Sequence, residues 1–268
     1  VDVQLIGVEA GGKGVNTNET AATFTNFRNN GSTFTNAGHT AILTGFYQAI
    51  NNSGGEAPSR PNYLQYWLKK SGKNRSKAWI IASKDKIEAL NNCQDTSWMD
   101  QNLPMTDCGV SGLGTGYRSD SITVRHVLDS MELHKPNLVL INLMQPDQIG
   151  HTANWEAYLD AVKQVDRDYY AIWQYLKTSP HYQGNTTVFI TNDHGRHLDG
   201  SSGGFANHGD DCEGCRHINL FAAGPDFKSN EINASPYELI DISLTIAELL
   251  QFEMPTSNGR NIKELFKQ

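Results

Sequence analysis

Three places in the chain set Asp or His beside Gly or Pro, each near an apolar run. Residues 137–144 (NLVLINLM) lead into Gln145-Pro146-Asp147-Gln148-Ile149-Gly150-His151. Residues 186–191 (TTVFIT) lead into Asn192-Asp193-His194-Gly195, and Asn207-His208-Gly209 precedes residues 218–223 (INLFAA). Carboxylates mixed with imidazoles suit zinc or a similar divalent ion. Asp147 and His151 are four apart on a strand-to-helix connection, a spacing that lets both converge. Asp193 and His194 are adjacent, point differently, and serve one metal only from a turn. A single His taken alone reads as a satisfied surface or core residue, and His39, His126, His134 and His181 keep that reading. His197 and His217 sit close in sequence to the candidate ligands, as possible supports behind them.

A fourth piece is Ser32-Thr33-Phe34-Thr35-Asn36-Ala37-Gly38-His39-Thr40. A hydroxyl ahead of a Gly-His helix start lies where backbone N–H groups and the helix dipole favour an anion. A metal beside it would lower the hydroxyl pKa and make an alkoxide nucleophile. The competing reading is a plain helix cap, where Thr and Asn are common.

The elements that must position these groups alternate. Apolar runs at 3–8, 78–83, 137–144, 186–191 and 218–223 read as strands. Residues 38–49, 62–70, 120–134, 153–178 and 236–250 have helical spacing. This alternation predicts an α/β fold with a doubly wound, mostly parallel sheet and helices on both faces. In open α/β sheets the site lies beyond the carboxyl ends of the strands, which is where the candidates fall. No repeat and no clear boundary appears, so residues 1–268 read as one domain with loop insertions near 10–36 and 92–118.

Composition narrows the partners. The chain has 268 residues, 38% apolar and 19% charged, and its net charge is −7. That supports a core and excludes a wholly disordered chain. The acidic balance argues against a nucleic-acid partner, which would want a basic face. No stretch approaches ~18 consecutive apolar residues, so no membrane span is expected. No charged-then-apolar segment opens the chain, so an exported form would already have lost its signal. Cys93, Cys108, Cys212 and Cys215 fall as two local pairs. Two disulfides in an oxidising compartment are expected, with four reduced thiols as the alternative. A C-x-x-C pair can also be a redox motif or half of a zinc site, but no second C-x-x-C completes a four-cysteine site. Gly112-Leu113-Gly114-Thr115-Gly116 has the wrong glycine spacing for a dinucleotide site.

Taken together, FTNAGHTAILTG, QPDQIGHT, TNDHGRH and NHGDD resemble the alkaline phosphatase superfamily. The likeness is to the branch with nucleotide pyrophosphatase/phosphodiesterases and threonine-type alkaline phosphatases. DISLTIAELLQFEMP resembles that family's closing helix and turn, and the match covers most of residues 24–260. The resemblance implies an alkaline-phosphatase-like fold and a metal-dependent phosphoester hydrolase with two divalent ions, zinc in most relatives and manganese in the related mutases. It implies Thr35 as nucleophile, Asp147, His151 and His208 on one metal, and Asp193 and His194 on the second. The sulfatase branch uses a Cys/Ser-x-Pro-x-Arg motif, which this sequence lacks.

Two departures follow from the resemblance. The family's first strand ends in Asp-Gly, and that Asp completes the second metal site. Nothing upstream of Thr35 gives the pair; Glu9 and Asp2 are the candidate replacements, and the other reading is a chain that begins downstream of that strand. The alternative function is therefore a weak or inactive metal- or phosphate-binding member of the fold. The second departure is in the phosphate clamp. Some threonine-type relatives use Lys-x-Arg, where this chain has Lys84-Asp85-Lys86. Lys lacks the bidentate fork of Arg, so the clamp would be looser, and a solvated charged turn is the competing reading. Asn51 or Asn52 is the candidate phosphate-contacting amide. Lys84 and Lys86 slightly favour a monoester over a diester. The expected partner is a small-molecule phosphate ester, and the expected location is the periplasm or outside the cell.

Overall fold

The computed structural model describes residues 21–267. The strand expected at 3–8, with Glu9 and Asp2, lies outside the described residues. In chain order the elements are β1 (Ala22–Arg28), α1 (Thr35–Thr44), α2 (Tyr63–Ser71), β2 (Ala78–Ala82), β3 (Met105–Cys108) and α3 (Asp120–His134). There follow β4 (Leu138–Asn142), α4 (Gln145–Gly150), α5 (Trp155–Thr178), β5 (Val188–Thr191), α6 (Glu213–Arg216), β6 (His217–Ala223), β7 (Glu231–Asn233), β8 (Tyr237–Glu238) and α7 (Leu239–Leu249). The chain is of the expected α/β class. The described residues divide into two compact units, one of residues 21–29, 144–237 and 263–267, the other of residues 30–143 and 238–262.

In the second of these, β2 lies between β3 and β4 and pairs parallel with both. All five residues of β2 are buried. A central parallel strand covered on both faces needs such a continuous apolar run. Its core joins Leu64, Trp67, Ile80, Ile87 and Leu90 to Leu43 of α1 and Ala247 of α7. The start of α2 is set by a capping box: the Asn62 side chain accepts from Gln65 N at 2.9 Å, and Gln65 Oε1 accepts from Asn62 N at 3.2 Å. The helix stops at Gly72 in the left-handed region, where glycine carries no Cβ penalty. All ten residues of α1 are buried, so this helix has no solvent face and shows little amphipathic pattern.

In the other unit the sheet order is β5-β6-β1-β7, with β8 against β1. β6 pairs antiparallel with β1 and β5, whereas β1 and β7 are parallel. The long helix α5 is capped by Asn154, whose side chain accepts from Ala157 N at 3.0 Å. Its buried apolar residues, Tyr158, Ala161, Val162, Val165, Ile172 and Leu176, follow the helical period.

Two stretches depart from the expected loop insertions. Residues 22–28, inside the segment read as loop, form β1, and residues 105–108 form β3. The disulfide expectation is also corrected, because all four cysteines are free thiols. Cys93 Sγ faces Asp95 O and Cys108 Sγ faces Ile80 O. Among the described residues no helix is long and apolar enough to cross a membrane.

Candidate metal centre and nucleophile

The segment after β4 turns at Pro146 into the short helix α4, which carries Asp147 in its first turn and ends at His151. The expected i, i+4 convergence is present: His151 Nε2 lies 3.4 Å from Asp147 Oδ1. His208, from the long excursion between β5 and β6, places its Nε2 at 3.4 Å from the same oxygen and 3.2 Å from His151 Nε2. Asp147, His151 and His208 thus offer three ligand atoms within 4.8 Å of one another.

Asp193 and His194 follow β5 in a turn. His194 is buried, and its ring stacks on that of His208 with centroids 3.8 Å apart. Its Nδ1 lies 2.9 Å from Gly195 O, while its buried Nε2 has no hydrogen-bond partner. Asp193 Oδ2 stands 3.5 Å from that Nε2, beyond an ordinary hydrogen bond. An imidazole that donates one N–H to a carbonyl and leaves its other nitrogen bare is the form that ligates metals. The donor set therefore fits divalent cations. Asp193 and His194 join no group of three clustered ligand residues among the described residues.

One residue of this unit was not anticipated. Arg196 Nη1 donates to Asp147 Oδ1 at 2.7 Å, its Nη2 donates to Ala206 O at 2.9 Å, and its Nε bonds to Phe205 O. Gly150 makes room for it, since a Cβ there would meet the guanidinium. The only sequence signal was an Arg beside the DHG turn, which by itself names no partner. Tyr158 packs near Phe205, and burial pushes its phenol pKa up, Arg196 pulling the other way.

The second unit holds Thr35 and Lys84. Thr35 is the first residue of α1 and is buried. Phe34 occupies the N-cap with no side-chain bond, so Thr35 is not the cap that a purely structural role predicts. Lys84, just beyond the carboxyl end of β2, donates from Nζ to Thr35 Oγ1 at 3.1 Å. Lys84 and Lys86 are 5% and 8% exposed, so they do not form a solvated turn. The structure also separates the two asparagines. Asn52 Oδ1 accepts from Asn36 N at 3.0 Å and from Lys86 Nζ at 3.1 Å, whereas Asn51 Oδ1 accepts from Ser53 N. His39 is buried with its Nδ1 2.8 Å from Thr35 O and its Nε2 3.2 Å from Asn142 Nδ2, a satisfied core histidine. His217 joins none of these groups; its Nε2 lies 2.7 Å from Thr25 O.

The family model described as Sulfatase matches residues 10–252. The chain belongs to the Sulfatase family, and so to the alkaline phosphatase superfamily. Among solved structures it is similar to a variant of alkaline phosphatase PafA, with TM-score 0.71 and 12% identity over 95% of this chain and 94% of that one. Murine ectonucleotide pyrophosphatase/phosphodiesterase 5 gives TM-score 0.66 and 14% identity over 93% and 92%. A phosphonate monoester hydrolase from Silicibacter pomeroyi gives 0.59 and 14% over 91% and 69%. At such identities the likeness is one of fold. Curated relatives include the 2,3-bisphosphoglycerate-independent phosphoglycerate mutase of Metamycoplasma hominis, 30% identical over 76 residues, which are 28% of this chain and 15% of the relative. The mutase of Gracilaria tenuistipitata is 28% identical over 130 residues, 47% and 24% of the two chains. The chain thus spans about a quarter or less of these relatives' length.

Proposed function

We propose that this chain is a phosphoester hydrolase with Thr35 as nucleophile, dependent on two divalent metal ions, zinc being the best match to the donor set. The observation that carries the reading is the buried Lys84 ammonium on Thr35 Oγ1 at the first residue of α1. Asp147, His151 and His208 would hold one ion, and Asp193 and His194 would contribute to the second. Bound divalent ions supply charge that lowers the pKa of a hydroxyl and neutralises phosphoryl oxygens.

The chain's own groups account for the rest. Lys84 orients the Thr35 hydroxyl and favours its ionised form by charge and hydrogen bonding. Thr35 Oγ1 bonds to phosphorus as the ester oxygen leaves, and water then releases the phosphate from the threonine. Lys86 and Asn52 form a linked pair in the same unit, and Asn52 also holds Asn36 N. Two buried lysines favour a phosphomonoester, whose second charge gains most from them, over a diester. The absence of a Cys/Ser-x-Pro-x-Arg motif argues against sulfate-ester chemistry despite the family's name.

The test joins metal analysis to hydrolysis of p-nitrophenyl phosphate and its bis ester. Two metals per chain and turnover of the monoester are expected. Thr35→Ala should abolish turnover with metal content nearly intact, and retained activity in that variant removes the nucleophile assignment. The rival reading is a metal- or phosphate-binding member without turnover. It is favoured by the fact that, among the described residues, Asp193 and His194 belong to no cluster of three ligand residues. It predicts no more than one tightly held ion and no release of nitrophenol.

A further inference from the structure

A second ligand cluster shares no residue with the groups assigned above. His197, Asp210, Cys212 and Cys215 bring four ligand atoms within 4.8 Å of one another. They centre on one nitrogen. His197 Nδ1 is 3.3 Å from Cys212 Sγ, 3.3 Å from Cys215 Sγ and 3.2 Å from Asp210 Oδ1. A ring nitrogen has one proton or one lone pair and can satisfy one neighbour. Here three electron-rich atoms face it at once, an arrangement that a shared cation relieves.

The spacings match a known geometry. Zinc bonds of about 2.3 Å to sulfur and about 2.0 Å to nitrogen or oxygen, at tetrahedral angles, put S and N ligands about 3.5 Å apart and N and O ligands about 3.3 Å apart. The observed separations are close to those edges. The donor types agree as well, since two thiolates and an imidazole select zinc over the hard ions that carboxylates and waters hold. His197 and Cys215 are buried, while the Asp210 side chain is 46% exposed and closes the site on the solvent side.

The backbone is shaped for this cluster. Cys212 N donates to Asp210 Oδ1 at 2.9 Å, which fixes the carboxylate. Cys215 N approaches Cys212 Sγ at 3.4 Å, which holds the two cysteines on one side of the turn. The Cys-Glu-Gly-Cys turn sits against residues 195–198 through two glycines: a Cβ on Gly195 would meet Gly214 O, and a Cβ on Gly214 would meet Arg196 O. Gly195 N donates to Cys215 O at 2.8 Å across that approach.

We infer that His197, Asp210, Cys212 and Cys215 form a structural zinc site, separate from the Asp147, His151 and His208 group. Its role follows from chain order. The excursion between β5 and β6 runs from residue 192 to 216 with only short helical turns inside it. Stretches that long need some tie to hold one shape. The same excursion carries His194, three residues before His197, and His208, two before Asp210. A zinc ion on the cluster staples the two arms of the excursion and sets the positions of both imidazoles, and its binding adds to folding.

Cobalt distinguishes the two groups, because only the proposed site contains sulfur. The full chain, reduced and stripped with a chelator, is titrated with Co(II). A thiolate-to-cobalt charge-transfer absorption in the near ultraviolet is expected. It should vanish in Cys212→Ser and Cys215→Ser and persist in His208→Ala. In the zinc-loaded wild type, limited proteolysis between residues 198 and 211 should be slow, and chelation should accelerate it. A saturated cobalt protein with no charge-transfer band overturns the inference. So does a thiol count without reductant, resolved by alkylation and peptide mapping, that finds the Cys212 and Cys215 thiols both missing, which would mark a disulfide between them. If the serine variants are insoluble, the wild-type spectrum and the thiol count decide the matter. Neither readout depends on turnover, so this inference and the hydrolase reading can fail independently.

Discussion

Lys84 reaches from the end of β2 to place its ammonium 3.1 Å from the hydroxyl of Thr35, with both side chains buried. The proposed role of Lys84 rests on this hydrogen bond to the Thr35 hydroxyl. Replacing Lys84 with methionine keeps the stem and removes the donor. Lys84→Met should lower kcat/KM for p-nitrophenyl phosphate by about 10²-fold, in line with loss of one preorganised donor. The loss should be smaller for the bis ester, which carries less charge. Equal losses on both esters would assign Lys84 to Thr35 alone and not to recognition of the phosphoryl group.

Asp147 and Arg196 make a pair whose loss should be asymmetric. Asp147 Oδ1 accepts from Arg196 at 2.7 Å while both His151 and His208 stand 3.4 Å away. Asp147→Ala strips one proposed metal ligand and leaves a nearly buried guanidinium short of its carboxylate. We expect metal content to fall, and stability to drop by about 2 kcal/mol or more. Adding Arg196→Ala to Asp147→Ala should cost less than the two single losses summed, as coupled partners do. Urea midpoints at constant slope measure it, and strict additivity would argue that the two side chains do not interact.

Gly195 tests how closely the residue after His194 must approach the cysteine turn. Its missing Cβ faces Gly214 O, backbone that cannot swing aside. Gly195→Ala should destabilise by about 1–3 kcal/mol, the usual range for overpacking. Gly184→Ala serves as the control: a Cβ there meets nothing within 4 Å, and only its φ of 72° is strained. Thermal unfolding of the two variants compares steric clash with left-handed backbone strain.

The parts that sequence reading reached and missed divide along physical lines. The strands β2, β4, β5 and β6 announced themselves as apolar runs, although only β2 and most of β6 are buried while β4 and β5 are largely half-buried. Strand β1 was hidden. Its buried residues Phe24 and Phe27 are three apart, and the register with β6 shifts between them, so the period of two is broken by a bulge. Strand β3 hid because Thr106 and Asp107 are polar and half-buried. The approach of His151 to Asp147 was legible from their i, i+4 spacing. The meeting of His197 with Cys212 and Cys215 was not, because fifteen and eighteen residues separate them and only the fold of the excursion closes the gap. The even cysteine count suggested two local disulfides, whereas Cys93 and Cys108 face different carbonyls.

Asp241 gives a prediction in pH. It stands in the first turn of α7, where its Oδ2 accepts from Glu238 N at 2.8 Å and its Oδ1 from Arg260 N at 2.8 Å. These bonds favour the carboxylate, but burial outweighs them and raises its pKa above the ordinary value of 3.8. The folded chain therefore holds this proton more tightly than the unfolded chain does. The linked stability is full below the unfolded pKa and is lost as pH rises through the raised folded value. Asp241→Asn removes the titration while keeping one acceptor oxygen for the cap. The stability of wild type relative to Asp241→Asn should be greatest in mild acid and should decline as pH rises past the ordinary aspartate range toward neutrality. Urea unfolding of both proteins from about pH 4 to 7 reads this difference directly. A wild-type advantage that grows with pH would mean that the two backbone bonds and Arg260 outweigh burial, and that Asp241 acts as an ionised cap throughout.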